Sequence, residues 1–365
     1  MLRRKNNSTL VGLDIDAGSI AATEVDAHGT QPVATAIGPL DPGAFSEGEV
    51  TDPAGLADAL GELFAAHKLS RRVRLGVANQ RVVVRNLRLP AIDDPEEFGA
   101  AVRFQAQEEI PMPLEQAVVE HQVVGGTPGD NGAPPQVDVV VVAARRDMIE
   151  AFLEPIRRAG LQPMGIDLSA FAMIRALANG ASPRGTDGAG EAPPEAGESA
   201  PQSAALYCSV GANTNLAVAR GSACLFTRVS QFGLESIARE LASDRELTVE
   251  HARQWLVHVG LEKPAEELDG DPETVSAARS ALQNGSAALL NELRLSLEYY
   301  GAQDTALPVE RVVLSGPGSA IPGLSQQLES GLALPLQAGL PPALEQFDDE
   351  SAARLTLSYG LALEG

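Results

Sequence analysis

The sequence predicts an α/β protein of two related lobes, with a small α/β unit inserted in the first. Three observations lead there. Apolar strand runs alternate with stretches of helical periodicity along the chain. A strand, a small-residue turn and a second strand occur near the start of each half: residues 10–15 (LVGLDI) followed by the turn at 17–19, and residues 204–210 (AALYCSV) followed by the turn at 211–215. Between the halves lies 179–203, NGASPRGTDGAGEAPPEAGESAPQS, whose Gly, Pro and small polar residues cannot offset their ordering entropy. The expected division is a first lobe at 1–178 with an insertion at about 72–160, a disordered linker at 179–203, and a second lobe at 204–365.

Taken in order, alternation after the first turn carries a second strand through Val25. Residues 73–77 and 82–89 read as strands of the insertion. Asp94-Pro95-Glu96-Glu97 opens a helix, because Asp94 suits the cap, Pro95 the first turn and the acids the helix dipole. Phe98, Ala101, Val102 and Gln105 keep helical spacing, and the helix ends before Pro111. Strands follow at 118–124 and 137–143, joined by a long loop at 125–136 (GGTPGDNGAPPQ). A helix at 146–159, a short strand at 163–167 and a helix from Asp167 to Ala178 complete the first half.

In the second half, strands are expected at 216–219 and 223–229, then helices at 235–241, 249–259 and about 272–303. The last carries Val275, Ala278, Leu282, Leu289, Leu293, Leu297 and Tyr300 as its apolar stripe. A strand at 309–314 runs into Ser315-Gly316-Pro317-Gly318-Ser319, with a helix from Pro322.

The charge balance excludes some functions. Lys and Arg number 27 against 49 Asp and Glu, so the net charge is −22. Such a surface repels nucleic acid and anionic lipid, and the acidity reads as a means to solubility. Arg3-Arg4-Lys5 reads as a frayed, solvated tail. No apolar run reaches a membrane span, and the start shows no signal-peptide core. Cys208 and Cys224 sit in strand-like runs and read as buried free thiols in a reducing compartment. The five His are not spaced as metal ligands; His251 and His258 share a helix face and read as surface or satisfied core positions. There is no Gly-x-Ser-x-Gly elbow, Walker loop or Rossmann fingerprint.

Three small-residue turns each follow an apolar strand, at 14–19, 209–215 and 315–319. Small residues let backbone N–H groups approach phosphate oxygens, and a nearby Asp can hold Mg²⁺ through water. Each turn alone is also ordinary hairpin chemistry. Their order carries a resemblance to the actin-like superfamily, and within it to the PilM family of pilus assembly proteins. VGLDIDAGSIAATEV resembles a first phosphate motif, LYCSVGANTNLAVARGSACLFTRVSQFGLESIA a second, and VVLSGPGSAIPGLSQQL an adenosine motif. VRFQAQEEIPMPLEQAVVEHQVV and VDVVVVAARRDMIEAFLEPIRRAGLQPMGIDLSAFAMIRAL are similar to the most specific central blocks of the family. LSYGLAL resembles its C-terminal helix, here about 350–363, which returns toward the first lobe.

The resemblance implies an actin-like fold, duplicated in the ribonuclease H manner. It implies a cytoplasmic scaffold on the inner-membrane platform of type IV pili, peripheral to the membrane through its partners. Those partners are the N-terminal tail of a PilN-like membrane protein and the pilus motor ATPases. ATP and Mg²⁺ are the implied ligands. The nucleotide-site positions are Asp14, Gly18, Ser19, Gly211, Asn213, Thr214, Gly316 and Gly318; the metal positions are Asp14 and Asp167, through water; and Ile110, Pro111, Met112, Pro113 and Leu114 are candidate partner contacts. Those five residues read equally well as a chain turn that plugs a core, and Asp167 as a helix cap.

The chain departs from the family pattern at four places. Asp16 and Pro317 stand where Gly is usual, Ala21 where Lys is usual, and Ser209 where Asp is usual. A carboxylate at about 4 Å from a triphosphate costs on the order of 1–4 kcal/mol, and the other changes remove a cation and a metal-holding acid. The expectation is a worn site with weak or absent ATP binding and no catalytic residue. The rivals are an active Mg-ATPase of pilus assembly, the cytoplasmic module of a type II secretion platform, which is expected to continue into a membrane helix, and an actin-like kinase.

Overall fold

The computed structural model describes residues 9–26, 28–127, 129, 134–178, 203–303 and 305–363. The chain starts with β1 (Val11–Asp16), β2 (Ser19–Val25), β3 (Pro32–Pro39), the short strands β4 (Phe45–Ser46) and β5 (Glu49–Val50), helix α1 (Pro53–His67) and β6 (Arg72–Val77). Next come β7 (Val83–Pro90), α2 (Pro95–Glu109), β8 (Ala117–Thr127), β9 (Gln136–Arg145), α3 (Arg146–Arg158), β10 (Gln162–Leu168) and α4 (Ser169–Ala178). The second half holds β11 (Ala204–Val210), β12 (Thr214–Arg220), β13 (Ala223–Ser230), α5 (Leu234–Arg245), α6 (Val249–Val259) and α7 (Pro272–Gly301). It ends with β14 (Val309–Ser315), α8 (Leu324–Leu332), β15 (Leu336–Ala338) and α9 (Asp349–Ala362). Among the described residues no helix is long and apolar enough to cross a membrane.

Two five-stranded sheets share one plan. Their orders are β3-β2-β1-β6-β10 and β13-β12-β11-β14-β15. In each, the first three strands are antiparallel and the last two join in parallel. The strand-turn-strand repeat seen in the sequence is therefore the central hairpin of each sheet.

The central strands have both faces covered, so their side chains sort by alternation. On β1, Val11, Leu13 and Ile15 enter one core with Leu56, Leu60 and Phe64 of α1 and Phe152 and Ile156 of α3. On β11, Leu206, Cys208 and Val210 enter the core under α5 to α8, whereas Ala205 and Tyr207 face the other way. That other face meets α4 and α9, whose Met173, Ile174, Leu355 and Tyr359 also pack against Ala21 and Val25 of the first sheet. Helices α4 and α9 are thus the filling between the sheets. Burial pushes the Cys208 and Cys224 thiols up to about 12, so both are inert in this fold.

Helix α9 is bound tightly to the first sheet although it ends the second half of the chain. The Thr23 and Ser358 hydroxyls meet at 2.7 Å, Arg74 donates to Leu363 O at 2.6 Å, and the Tyr359 hydroxyl donates to Thr30 O at 2.8 Å. Glycines permit the approach. A Cβ on Gly12 would stand 2.0 Å from Ser358 O, and one on Gly360 would stand 2.0 Å from Ala172 O.

The small sheet β7-β9-β8 and α2 form a separate core from Leu87, Leu89, Val102, Ala106, Ile110, Val139, Val141 and Ala143. Asp94 caps α2, accepting from Glu96 N and Glu97 N at 2.9 Å each. This unit touches the second sheet where Gln80 donates to Val229 O at 3.1 Å and Asn86 donates to Leu225 O.

Several boundaries differ from the expectation. Strand β6 and helix α3, placed at the ends of the insertion of about 72–160, instead join the first sheet and its core. Gly125 to Thr127 continue β8 past a bulge at Val123/Gly125, so the loop expected over 125–136 is shorter. Five of its residues, 128 and 130–133, lie outside the described residues, as do Arg3-Arg4-Lys5 and the linker call at 179–203 except for Ser203. The turn at Gly316 passes through a 3-10 helix (Pro317–Ala320) before α8 begins, because the chain must first pack Gly318 against Val210. Residues 32–69 had no assigned elements; they supply β3 and α1, the latter capped by Asp52 with Pro53 in its first turn.

The α9 contact yields a first prediction. Gly360→Ala should destabilise the fold by about 1–3 kcal/mol through overpacking. Gly61→Ala, in α1 with nothing within 4 Å of its added Cβ, should instead raise stability by about 0.5–1 kcal/mol. Urea unfolding of both variants checks the contrast.

Candidate functional site

The C-terminal ends of the central strands β1 and β11 bound a cleft between the sheets, which Ser169 of α4 and Ala353 and Leu357 of α9 also line. Alternation decides which side chains enter it. On β1 these are Asp14 and Asp16, opposite to Val11, Leu13 and Ile15; on β11 it is Ser209, and on β12 Asn215. Ser19, Gly211, Asn213, Gly316 and Pro317 complete the turns around it, and Arg354 of α9 stands at its side. The cleft has a volume of about 60 Å³. That holds a few waters, whereas pockets for nucleotide-sized ligands run to roughly 300–1,000 Å³.

Asp16 accounts for the closure. One carboxylate oxygen accepts from its own neighbour, Ala17 N, at 2.9 Å, and the other accepts from Ala212 N in the opposite lobe, also at 2.9 Å. These are the N–H groups of the two hairpin turns, the donors that a phosphate oxygen needs. The Asp16 carboxylate already occupies them. Burial pushes its pKa up, against the lowering effect of the Ala212 and Ala17 hydrogen bonds and of Arg253.

Asp14 lies deeper. Its residue surface is only partly covered, but protein surrounds the carboxylate, and the low dielectric around it governs its charge. Burial first, and the Asp16 charge second, push its pKa up to about 7. Asp167 does not join it: its carboxylate pairs with Arg175, accepts from Leu168 N at 2.8 Å, and lines a different cleft. It stands on β10. Among the described residues no group of three or more His, Cys, Asp or Glu side chains is placed to hold a metal ion.

The structure brings Asp14, Ser19, Gly211, Asn213 and Gly316 to one cleft. It does not bring Thr214 there, whose buried hydroxyl donates to Phe232 O at 2.8 Å, nor Gly318, which is packed on Val210. Gly18 lies at the mouth under Arg253. Ala21 is buried at the cleft wall with no cation in its place. Three residues that sequence reasoning missed matter here. Arg253 of α6 donates to Ala17 O at 3.1 Å and pairs with buried Glu235 and with Glu250. Asn215 is buried at the cleft wall with both amide atoms unpartnered. Nothing in local periodicity marks Glu235 or Arg253, because their importance comes from a contact 236 residues away in sequence.

Of the candidate partner contacts, Ile110 is buried in the small core, and Met112 and Leu114 pack against it. Only Pro111 and Pro113 are exposed.

The raised Asp14 pKa gives a prediction with a definite sign. From about pH 4 to pH 7 the unfolded chain ionises Asp14 while the fold keeps it protonated. Its stabilising share is complete below about pH 4 and lost as pH rises through about 7. Relative to Asp14→Asn, the unmodified chain should lose on the order of 4 kcal/mol between those limits. Urea unfolding across that range measures it, and a flat difference would contradict the buried neutral carboxyl.

Comparison with known proteins places this geometry. Among solved structures, a PilM-PilN type IV pilus biogenesis complex superposes with a TM-score of 0.76 at 26% identity, covering 97% of each chain. Ethanolamine utilization protein EutJ from Carboxydothermus hydrogenoformans gives a TM-score of 0.53 at 16% identity, over 97% of this chain and 89% of the other. MreB5 of Spiroplasma citri bound to ADP gives 0.52 at 11% identity, over 96% and 94%. The last two show the actin-like fold. A family profile described as Type IV pilus assembly protein PilM matches residues 12–341. The chain therefore belongs to the PilM family of type IV pilus assembly proteins.

Proposed function

We propose that this chain is a scaffold of the type IV pilus inner-membrane platform, working at the cytoplasmic face without a nucleotide cycle. The observation that carries this reading is the Asp16 carboxylate seated on the Ala17 and Ala212 N–H groups. Phosphoryl chemistry needs those donors, a cation and a positioned metal. Here the donors are engaged and Ala21 supplies no charge. ATP binding is weak or absent, and catalysis has no residue to carry it.

The partner is the N-terminal tail of a PilN-like membrane protein, and through it the chain is held at the membrane; the motor ATPases engage the same platform. Support for the tail comes from a second, wider cleft. It has a volume of about 770 Å³ and runs between the small sheet and the first lobe, lined by Val118, Val142, Ile149, Leu153, Met164 and Phe171. Met164 is 50% exposed. The strands that flank it, β8 and β10, are both sheet edges, so an extended tail can add hydrogen bonds along an edge while its side chains enter the apolar floor. This moves the partner contacts from residues 110–114, which serve the small core, to the neighbouring cleft.

Calorimetry with a peptide copying that tail tests the proposal. Binding at micromolar strength, unchanged by Mg-ATP and weakened about tenfold or more by Met164→Glu, is the expected result. No binding, or binding only with Mg-ATP present, would overturn it.

A further inference from the structure

We propose that Asp16 and Arg253 form an internal latch that holds the two lobes closed, with the Asp16 carboxylate acting as a permanent built-in oxyanion ligand. The proposal rests on the reading of a cleft that works without nucleotide, and adds what fastens it.

The geometry is reciprocal. The first lobe sends a carboxylate to a backbone donor of the second: Asp16 to Ala212 N at 2.9 Å. The second lobe sends a guanidinium to a backbone acceptor of the first: Arg253 to Ala17 O at 3.1 Å. Both bonds converge on one turn, so each braces the other. Arg253 is itself held by three acceptor contacts. It donates to Glu235 through Nε at 3.1 Å and also through Nη2, and to Glu250 through Nη1 at 3.0 Å. Glu235 is buried and takes a second cation, Arg239, at 3.2 Å. An arginine fixed in this way is a rigid strut.

The glycines of the two turns fit a latch as closely as they fit a phosphate. Gly18, at φ +81°, would place a Cβ 2.4 Å from the Arg253 guanidinium, and a Cβ on Gly211 would stand 2.7 Å from Asp16 Oδ2. Each small residue is required by the side chain that crosses from the other lobe. Glu350 and Arg354 of α9 line the same pocket as Asp16, Ala17, Ala212 and Arg253, so the latch lies beside the first turns of the helix that joins the two sheets. Asn215, buried in the cleft wall with both amide atoms unpartnered, is a cost that the closed state carries and an open one would relieve.

Hydrogen exchange on the full-length chain without nucleotide tests this, read at the 17–19 and 211–213 turns and compared with the buried strand β11. Asp16→Ala and Arg253→Ala should each raise exchange at both turns by about tenfold or more, the value of one charge-assisted hydrogen bond, while β11 stays protected. Millimolar formate should restore protection to Asp16→Ala and leave Arg253→Ala unchanged. Should Asp16→Ala not fold, Asp16→Asn serves in its place, with a smaller increase. Unchanged turn protection in the Asp16 and Arg253 variants overturns the latch, as does an increase shared equally by β11. Tight ATP binding by the unmodified chain would sink the nucleotide-free reading, and the exchange data would still decide the latch.

Discussion

The placement of α4 and α9 between the two sheets is the constraint on which the rest of the molecule depends. Helix α9 must lie against the backbone of β1 on one side and of α4 on the other, which is why Gly12 and Gly360 have no room for a Cβ. With those helices fixed, alternation along β1 and β11 does the remainder. One face of each strand becomes lobe core, and the other becomes either helix contact or cleft wall. Asp14, Asp16, Ser209 and Asn215 enter the cleft because they share a face with the helix-contacting residues at the strand ends, where Ser169 of α4 and Leu357 of α9 line the cleft as well.

In the proposed reading, that arrangement lets the fold close without nucleotide. The two hairpin turns present N–H groups whatever the side chains are. A carboxylate added at position 16 takes those donors, and an arginine on α6 closes over the same turn. The charge that repels a phosphate and the bonds that close the lobes therefore come from the same side chain. On the function proposed above, the protein keeps a defined shape for its partners without depending on ATP supply.

The sequence made the scaffold of this fold readable where burial is two-sided. The run AALYCSV became β11 at its expected bounds, and the helix at 249–259 likewise, because both carry unbroken periodic signals and clear flanking turns. The glycines at 125 and 126 misled, since glycine signals a loop and here marks a bulge within a strand. At the site, Asp16 was legible as a foreign charge on family grounds. Its hydrogen bond to Ala212 was not, because 196 residues separate the partners. Arg253, Glu235 and Asn215 carried no local signal for the same reason: their roles arise only when the lobes meet. Residues 110–114 read equally as partner contact or core plug, and packing resolves Ile110, Met112 and Leu114 toward the core.

The central claim is that Asp16, and not a phosphate, occupies the N–H groups of the two turns. A crystal structure of the unmodified chain grown with excess Mg-ATP tests it most directly. The account predicts that the Asp16 carboxylate remains in contact with Ala17 N and Ala212 N, with no triphosphate between the turns. A triphosphate seated on those N–H groups, with Asp16 swung out of the cleft, would contradict it.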